Sequence, residues 1–113
     1  MKKALLLNND GEYRQIDTNT DNESFFERFD TPEINIINIT VNLRRYIVIA
    51  GRPHYDVPAV RIMRRGGYID AHFREIIILG SDCGERCSLS FSDSAYLTHS
   101  IRNTTTGPIL EVA

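Results

Sequence analysis

The sequence lacks the long apolar runs that carry proteins into or across membranes. Aliphatic runs such as Ile47–Ala50 and Ile76–Leu79 reach four residues, far short of the ~20 residues that a membrane-spanning helix needs. The apolar stretch Ala4–Leu7 is equally short, and the polar residues Asn8, Asn9 and Asp10 follow it. It therefore fails as the apolar region of a signal peptide. We expect a cytoplasmic protein with no membrane partner.

Cysteine is scarce, with Cys83 and Cys87 as the two thiols of the chain. Without a predicted export signal, we expect these thiols to stay reduced. Together with two of the three histidines they could form a tetrahedral zinc site, but the histidines are scattered and no H-x₃₋₅-H pair is present. The C-x-x-C spacing of a redox pair is also missing. The sequence therefore predicts neither a metal nor a cofactor, and zinc remains the weaker alternative.

The chain also lacks the short motifs that announce catalysis. It contains no G-x-x-x-x-G-K-[ST] loop, no G-x-G-x-x-G and no G-x-S-x-G frame. Two pairs, His54 with Asp56 and Asp70 with His72, do place a carboxylate two residues from an imidazole. On a strand this spacing puts both groups on one face, where the carboxylate can orient the ring. The sequence favours a non-enzymatic protein. A small enzyme centred on these four residues is the alternative.

Arginine is what the chain has in quantity, with eleven arginines against two lysines. Its net charge of −2 conceals a segregation of charge along the chain. Residues 1–33 carry four basic and eight acidic side chains, residues 34–74 carry seven and two, and residues 75–113 carry two and five. All seven basic side chains of the middle part are arginines between Arg44 and Arg74. A positive segment between negative flanks indicates either an anion-binding surface or pairing between segments that pack together.

The guanidinium fork binds phosphate and carboxylate in a bidentate manner, so the central arginines are the candidate functional groups. We predict a binding protein that holds an anionic partner, either the backbone of a nucleic acid or an acidic protein surface. The anion-binding set comprises Arg44, Arg45, Arg52, Arg61, Arg64 and Arg65. The competing interpretation is that the acidic flanks neutralise these arginines. Dedicated nucleic-acid-binding domains typically have a pI above about 9. The sequence pI of 5.9 is well below that.

The length of 113 residues fits one domain spanning residues 1–113. The patterns along the chain predict an α+β fold. It consists of six or seven short, mostly antiparallel strands with two or three helices packed on one face of the sheet. The first and last strands are short, and if either is a sheet edge it can pair with a second copy of the chain. The third hypothesis is therefore that the chain is a structural subunit of a homo-oligomer such as a homodimer, without a ligand.

In the first half, the Asp10-Gly11 pair predicts a tight hairpin between strands 4–7 and 12–16. A short helix is expected next, capped by Thr20 and Glu23 and ending before Pro32. Alternation of apolar and polar residues over 33–41 predicts a strand with one wet face. A turn at 42–45 and a strand over 46–50 follow.

In the second half, Pro58–Arg65 is predicted as a two-turn helix, since Pro58 suits its first position and Gly66 its end. The alternation of Val60, Arg61 and Ile62 permits a strand instead. A buried strand is predicted over 73–79, and a partner strand over 87–91. A helix capped by Ser92 or Asp93 should run to about Arg102. The remaining predicted segments are a linker over 104–108 and a terminal strand over 109–112.

Overall fold

The computed structural model describes the backbone of residues 1–113 and the side chains of all of them except Ile69 and Asp70. Ten strands and two helices follow one another along the described chain. In order they are β1 (Lys2–Asn8), β2 (Tyr13–Thr18), α1 (Asn22–Phe29), β3 (Asn35–Val41), β4 (Arg44–Ala50), β5 (Val60–Arg64), β6 (Tyr68–Phe73), β7 (Glu75–Asp82), β8 (Glu85–Cys87), α2 (Phe91–Thr98), β9 (Ile101–Thr104) and β10 (Gly107–Val112).

The strands form two sheets. The larger sheet has the order β2-β1-β7-β4-β3, with the short β8 paired to the end of β7. The smaller sheet has the order β6-β5-β10-β9. Neighbouring strands are antiparallel except β5 and β10, which run parallel. The predicted α+β class and its mostly antiparallel pairing are confirmed, but the strands of the described chain outnumber the predicted six or seven.

The central strands of the larger sheet are buried on both faces. Ile76 and Ile78 of β7 enter a core shared with the smaller sheet, whereas Ile77 and Leu79 enter a second core with Phe25 of α1. β1 and β4 divide their side chains between the same two cores. Because successive side chains of a strand point to opposite faces, such strands read as continuous apolar runs. The described residues thus form a small compact domain with the larger sheet in its middle.

The sequence predicted that the helices pack on one face of the sheet, but the two helices lie on different faces of the larger sheet. Phe25 of α1 belongs to the core on one face of the larger sheet, and Leu97 of α2 belongs to the core between the two sheets. α1 begins after Asp21, whose carboxylate accepts a hydrogen bond from the backbone N–H of Ser24 at 3.1 Å. The predicted cap at Thr20 is therefore wrong by one residue, and Asp is an equally good capping residue.

Of the two alternatives for Pro58–Arg65, the helix is wrong and the strand is confirmed, because Val60–Arg64 within this segment form β5. Val60 and Ile62 are buried in the core between the sheets, while Arg61 is partly exposed. β5 pairs with β6 on one side and with β10 on the other, with Arg61 opposite Ile109. This pairing joins residues nearly fifty positions apart in the sequence, so local periodicity does not reveal it.

The C-terminal helix is shorter than predicted. Ser90 caps α2 by accepting from the backbone N–H of Asp93 at 3.1 Å, and the helix ends at Thr98. The predicted caps and the predicted end at Arg102 are wrong, since Ile101 already opens β9. The presumed linker over 104–108 holds the turn of the β9–β10 hairpin. Likewise β8 ends at Cys87 rather than continuing to residue 91.

The predicted turn at Asp10 and Gly11 is confirmed, whereas the predicted turn over 42–45 is two residues too long, because β4 already begins at Arg44. β1 and β2 pair across the turn that contains Asp10 and Gly11, and Gly11 has φ +88°. β3 and β4 pair across Asn42 and Leu43, which have φ values of 49° and 70°. Two successive positive φ angles suit the twist of a two-residue hairpin. Leu43 is 97% exposed at this tip, so the hydrophobic residue there contributes nothing to the core.

Candidate anion-binding cleft

A cleft of about 410 Å³ opens where three segments meet beside the larger sheet. The segments are the end of α1, the stretch that follows β4, and the junction between β6 and β7. The lining residues are Arg28, Phe29, Asp30, Thr31, Gly51, Arg52, Pro53, His54, Arg74 and Glu75.

Sheet pairing brings these segments together. β4 and β7 are neighbours with Ala50 opposite Ile76, so the chain leaving β4 passes beside the residues that enter β7. Gly51 lies against the end of α1, and a Cβ atom added there would be 2.9 Å from the Cβ of Phe29. A larger residue at this position would push the helix away from the sheet. The glycine therefore sets the width of the cleft.

The cleft holds three arginines against two carboxylates. Arg28 is associated with Glu75, but the distance of 3.9 Å between its Nε and the carboxylate Oε1 is at the limit for an ion pair. Among the described residues, Arg74 has no hydrogen-bond or ion-pair partner, and it is exposed. The arginines of the cleft therefore outnumber its carboxylates by one.

Arg52 is oriented by a neutral partner. Its Nε donates to Thr31 Oγ1 at 3.0 Å, and Thr31 is itself only 6% exposed. The Thr31 hydroxyl also accepts from the backbone N–H of Glu33 at 3.1 Å, which fixes it in place. A hydroxyl holds the guanidinium without cancelling its charge. No hydrogen bond or ion pair engages the two terminal nitrogens of Arg52 within the described part of the chain, so they can donate to an anion.

The other predicted anion-binding arginines are distributed elsewhere. Arg61 donates through Nη2 to Thr104 Oγ1 at 2.8 Å across the smaller sheet, and its Nε is buried without a described partner. Arg64 donates to the carbonyl of Ala113 at 3.4 Å. Arg65 follows β5 beside a shallow depression near the chain's C-terminal residues. Arg45 is exposed at the start of β4. Of the six predicted residues, Arg52 alone among the described side chains lines the cleft.

Arg44 is engaged by an acid. It forms an ion pair and hydrogen bond with Asp93 of α2, and its guanidinium lies 5.8 Å from the ring centre of Tyr96. The hydroxyl of the buried Tyr46 also donates to Asp93, at 3.0 Å. Burial works to raise the pKa of Asp93, but hydrogen bonds from Arg44, Tyr46 and Ser90 outweigh it and lower the pKa. Burial, assisted by the Asp93 carboxylate, raises the pKa of Tyr46 to about 12.

The histidine–aspartate residues of the enzymatic alternative are only loosely associated. His54 lines the cleft, and its backbone N–H donates to the carbonyl of His72 at 2.9 Å. The ring of His72 lies 5.6 Å from that of Tyr55, in a separate depression. Asp56 is exposed in the loop before β5, and Asp70 lies outside the residues whose side chains are described. No described contact joins an imidazole to a carboxylate here, so the acid–base hypothesis stays a prediction.

The two cysteines lie around the β7–β8 turn as free thiols, Cys83 exposed and Cys87 partly buried. Within the described side chains, no three histidine, cysteine, aspartate or glutamate residues come close enough to hold a metal ion. The zinc alternative therefore gains no support from the geometry.

Comparison of the chain with known proteins yields no match. No protein-family model matches the chain, and no significant match was found among curated proteins or solved structures. No helix in the described chain is both long and apolar enough to cross a lipid bilayer. Any functional assignment therefore depends on the geometry of the cleft itself.

Sequence reasoning missed two of the three arginines that line the cleft. Arg74 was counted in the positive segment but not in the anion-binding set, and Arg28 lies in the acidic N-terminal third. The available signal was the position of Arg28 in the last turn of α1, where a basic side chain favourably meets the negative end of the helix. Its proximity to residues 51–54 and 74–75 follows only from the sheet pairing.

Proposed function

We propose that this protein is a non-enzymatic binding protein that holds an anionic partner in the cleft. Arg52 and Arg74 are the principal contacts, with Arg28 and His54 beside them. The observation that carries the proposal is that Arg52 and Arg74 line a concave site without a carboxylate partner among the described residues. A guanidinium in such a site can offer two parallel N–H donors to a phosphate or carboxylate group.

The negative end of α1 faces this region and would by itself repel an anion. Two of its last four carbonyls are occupied, because the backbone N–H groups of Asp30 and Thr31 donate to Glu27 and Phe26 at 3.3 and 3.1 Å. Arg28 in the last turn further offsets the dipole. The three arginines then outweigh Asp30 and Glu75, so a singly or doubly charged group is attracted.

The neighbouring surface favours an extended polyanion over a single small ion. A second groove adjoins the cleft across the Arg28–Glu75 pair, and Tyr13 and Arg14 line it together with one further carboxylate, that of Glu12. Tyr13 is about half exposed and can stack on a base. A single-stranded nucleic acid running through both grooves would pass Arg14, Arg28, Arg52 and Arg74 in turn. We therefore favour the phosphate backbone over an acidic protein surface, which offers no bases to stack.

The proposal is tested by fluorescence anisotropy with a labelled oligothymidylate and, in parallel, a labelled polyglutamate peptide. We expect the oligonucleotide to bind more tightly and the Arg52→Ala/Arg74→Ala variant to lose about tenfold or more in affinity. The slope of log affinity against log salt should fall by about 1.4 in this variant, which is about 0.7 for each lost contact to a single strand. Tighter binding of polyglutamate would instead identify an acidic protein partner.

The matched control is Arg65→Ala/Arg102→Ala, which removes the same charge from exposed positions outside the cleft. This variant should bind almost as the parent chain does. Equal losses in both variants would attribute binding to net charge rather than to the cleft. Conversion of Arg52 and Arg74 to lysine keeps the charge and should give an intermediate loss, because lysine lacks the planar fork.

A further inference from the structure

β3 forms one edge of the larger sheet, and its outer side lacks a partner strand in the described chain. In an antiparallel pair, alternate residues turn both backbone groups toward the neighbouring strand or away from it. The Thr40 carbonyl accepts from the N–H of Ala113 at 2.9 Å rather than from β4, so Thr40 points away from β4. By the same alternation, Ile36 and Asn38 present their backbone N–H and C=O groups at the free edge.

The composition of this edge differs from that of the other sheet edges. β3 carries no ionisable side chain over its seven residues, Asn35–Val41. The other edge strands each carry at least one, namely Arg14 and Asp17 in β2, His72 in β6 and Arg102 in β9. Proteins commonly blunt an edge with charges or prolines to prevent pairing with another chain. β3 has neither, and its own Ile36 is 47% exposed.

The charges at the two ends of β3 indicate which chain would pair with it. Glu33 precedes the strand, and Arg45 lies at its other end, opposite Thr40 in the register of β3 and β4. Neither side chain has an ion-pair partner among the described residues. Two copies related by a twofold axis place their β3 strands antiparallel. Each acidic end then approaches the basic end of the other copy.

We propose that the chain forms a homodimer through antiparallel pairing of β3 with β3 of a second copy, which joins the two larger sheets into one. The backbone groups of Ile36 and Asn38 supply the inter-strand hydrogen bonds, and Ala113 limits the pairing at Thr40. This assembly is independent of the anion-binding cleft, whose arginines it does not use. It also differs in its salt response, because its backbone hydrogen bonds depend little on ionic strength and only the contacts between Glu33 and Arg45 are screened by salt, whereas phosphate contacts weaken steeply.

Sedimentation equilibrium tests the assembly. We expect the parent chain to dimerise and the Ile36→Lys variant to raise the dissociation constant by about tenfold or more, since a charge at an edge opposes pairing. The matched control is Gln15→Lys on the exposed face of β2, which should leave the dimer intact. Asn38→Pro removes an outward N–H without breaking a bond to β4 and should also give monomers. Thermal unfolding of each variant verifies that it remains folded.

Charge exchange identifies the orientation. Glu33→Arg should weaken the dimer, and the added change Arg45→Glu should restore it. In the parent chain, amide hydrogen exchange at Ile36 and Asn38 should slow as protein concentration rises. A parent chain that stays monomeric up to about 100 μM overturns the proposal. So does a dimer that folded Ile36→Lys and Asn38→Pro variants leave unchanged.

Discussion

The two ends of β4 carry arginines in opposite circumstances. At its start, Arg44 is paired with Asp93, which also accepts from the Tyr46 hydroxyl. Just beyond its end, Arg52 is held by the Thr31 hydroxyl and lines an open cleft. The same residue type is thus used for structure at one end and left available for binding at the other.

Helix polarity explains the difference. α2 presents its first turn to Arg44, and that turn contains Asp93, because negative side chains are favourable near a helix N-terminus. α1 presents its last turn to the region of Arg52, and that turn contains Arg28. Each helix therefore supplies the charge that its own dipole favours. One end of the strand is neutralised and the other accumulates positive charge.

Removal of Asp93, the acid that pairs with Arg44, should have a greater effect than the other changes described below. Tyr46 as a whole residue is 1% exposed, and Asp93→Ala removes the carboxylate that accepts the hydrogen bond from its hydroxyl. We expect a loss of about 1–3 kcal/mol in the free energy of unfolding, the cost of an unsatisfied buried polar group. Urea denaturation measures it. The control is Asp17→Ala, which breaks the exposed pair with Lys3 at 2.7 Å and should cost less than about 1 kcal/mol. Equal losses would mean that the Arg44 end is not structurally special.

A second test uses the alkaline titration of Tyr46. Its pKa is raised to about 12 in the folded protein, whereas an unfolded tyrosine titrates near 10. Between these values the folded state retains a proton that the unfolded state has released, so stability falls as pH rises from about 10. Phenolate absorbance should resolve one of the five tyrosines as a late titration. Tyr46→Phe should remove both that step and the associated loss of stability. A parent titration without a late step would contradict the burial of this hydroxyl.

A weaker effect is expected from Glu75, whose carboxylate partly offsets the positive charge of the cleft. Glu75→Gln removes the carboxylate 3.9 Å from Arg28 and should strengthen polyanion binding by up to about fivefold, as expected for a weak, partly exposed pair. The matched control is Glu111→Gln, whose carboxylate pairs with Arg102 on the smaller sheet at 3.2 Å. Oligonucleotide anisotropy at low salt measures both. Equal gains in the two variants would show that overall charge, rather than the cleft, governs affinity.

Local sequence patterns predicted the elements whose signals are themselves local. The Asp10-Gly11 turn and the break near Asn42 each require positive φ angles, and the sequence marks both. Ile76–Leu79 was predicted to be buried on both faces, and it is. Such features need no knowledge of distant parts of the chain.

The errors arose where distant pairing decided the outcome. Ala59, Ile62 and Met63 fit a helical stripe, yet Val60 and Ile62 fit a strand equally well, and pairing with β10 selected the strand. Leu97 and Ile101 are one helical turn apart in sequence but belong to α2 and β9. The cleft was only partly foreseen for the same reason. Arg28 joins Arg52 and Arg74 through tertiary packing, and its local context is an acidic segment.

The parallel pairing of β5 with β10 has a consequence for the order of folding. All strands of the larger sheet lie between residues 2 and 87, whereas the smaller sheet closes only when residues 107–112 reach residues 60–64. The larger sheet needs a still longer closure, since its β1 pairs with β7 and places Leu5 opposite Ile78. Both closures carry an entropic penalty that must be met before their contacts form. The local hairpins β1–β2, β3–β4 and β9–β10 can therefore form first, and both sheets close only when these distant segments meet.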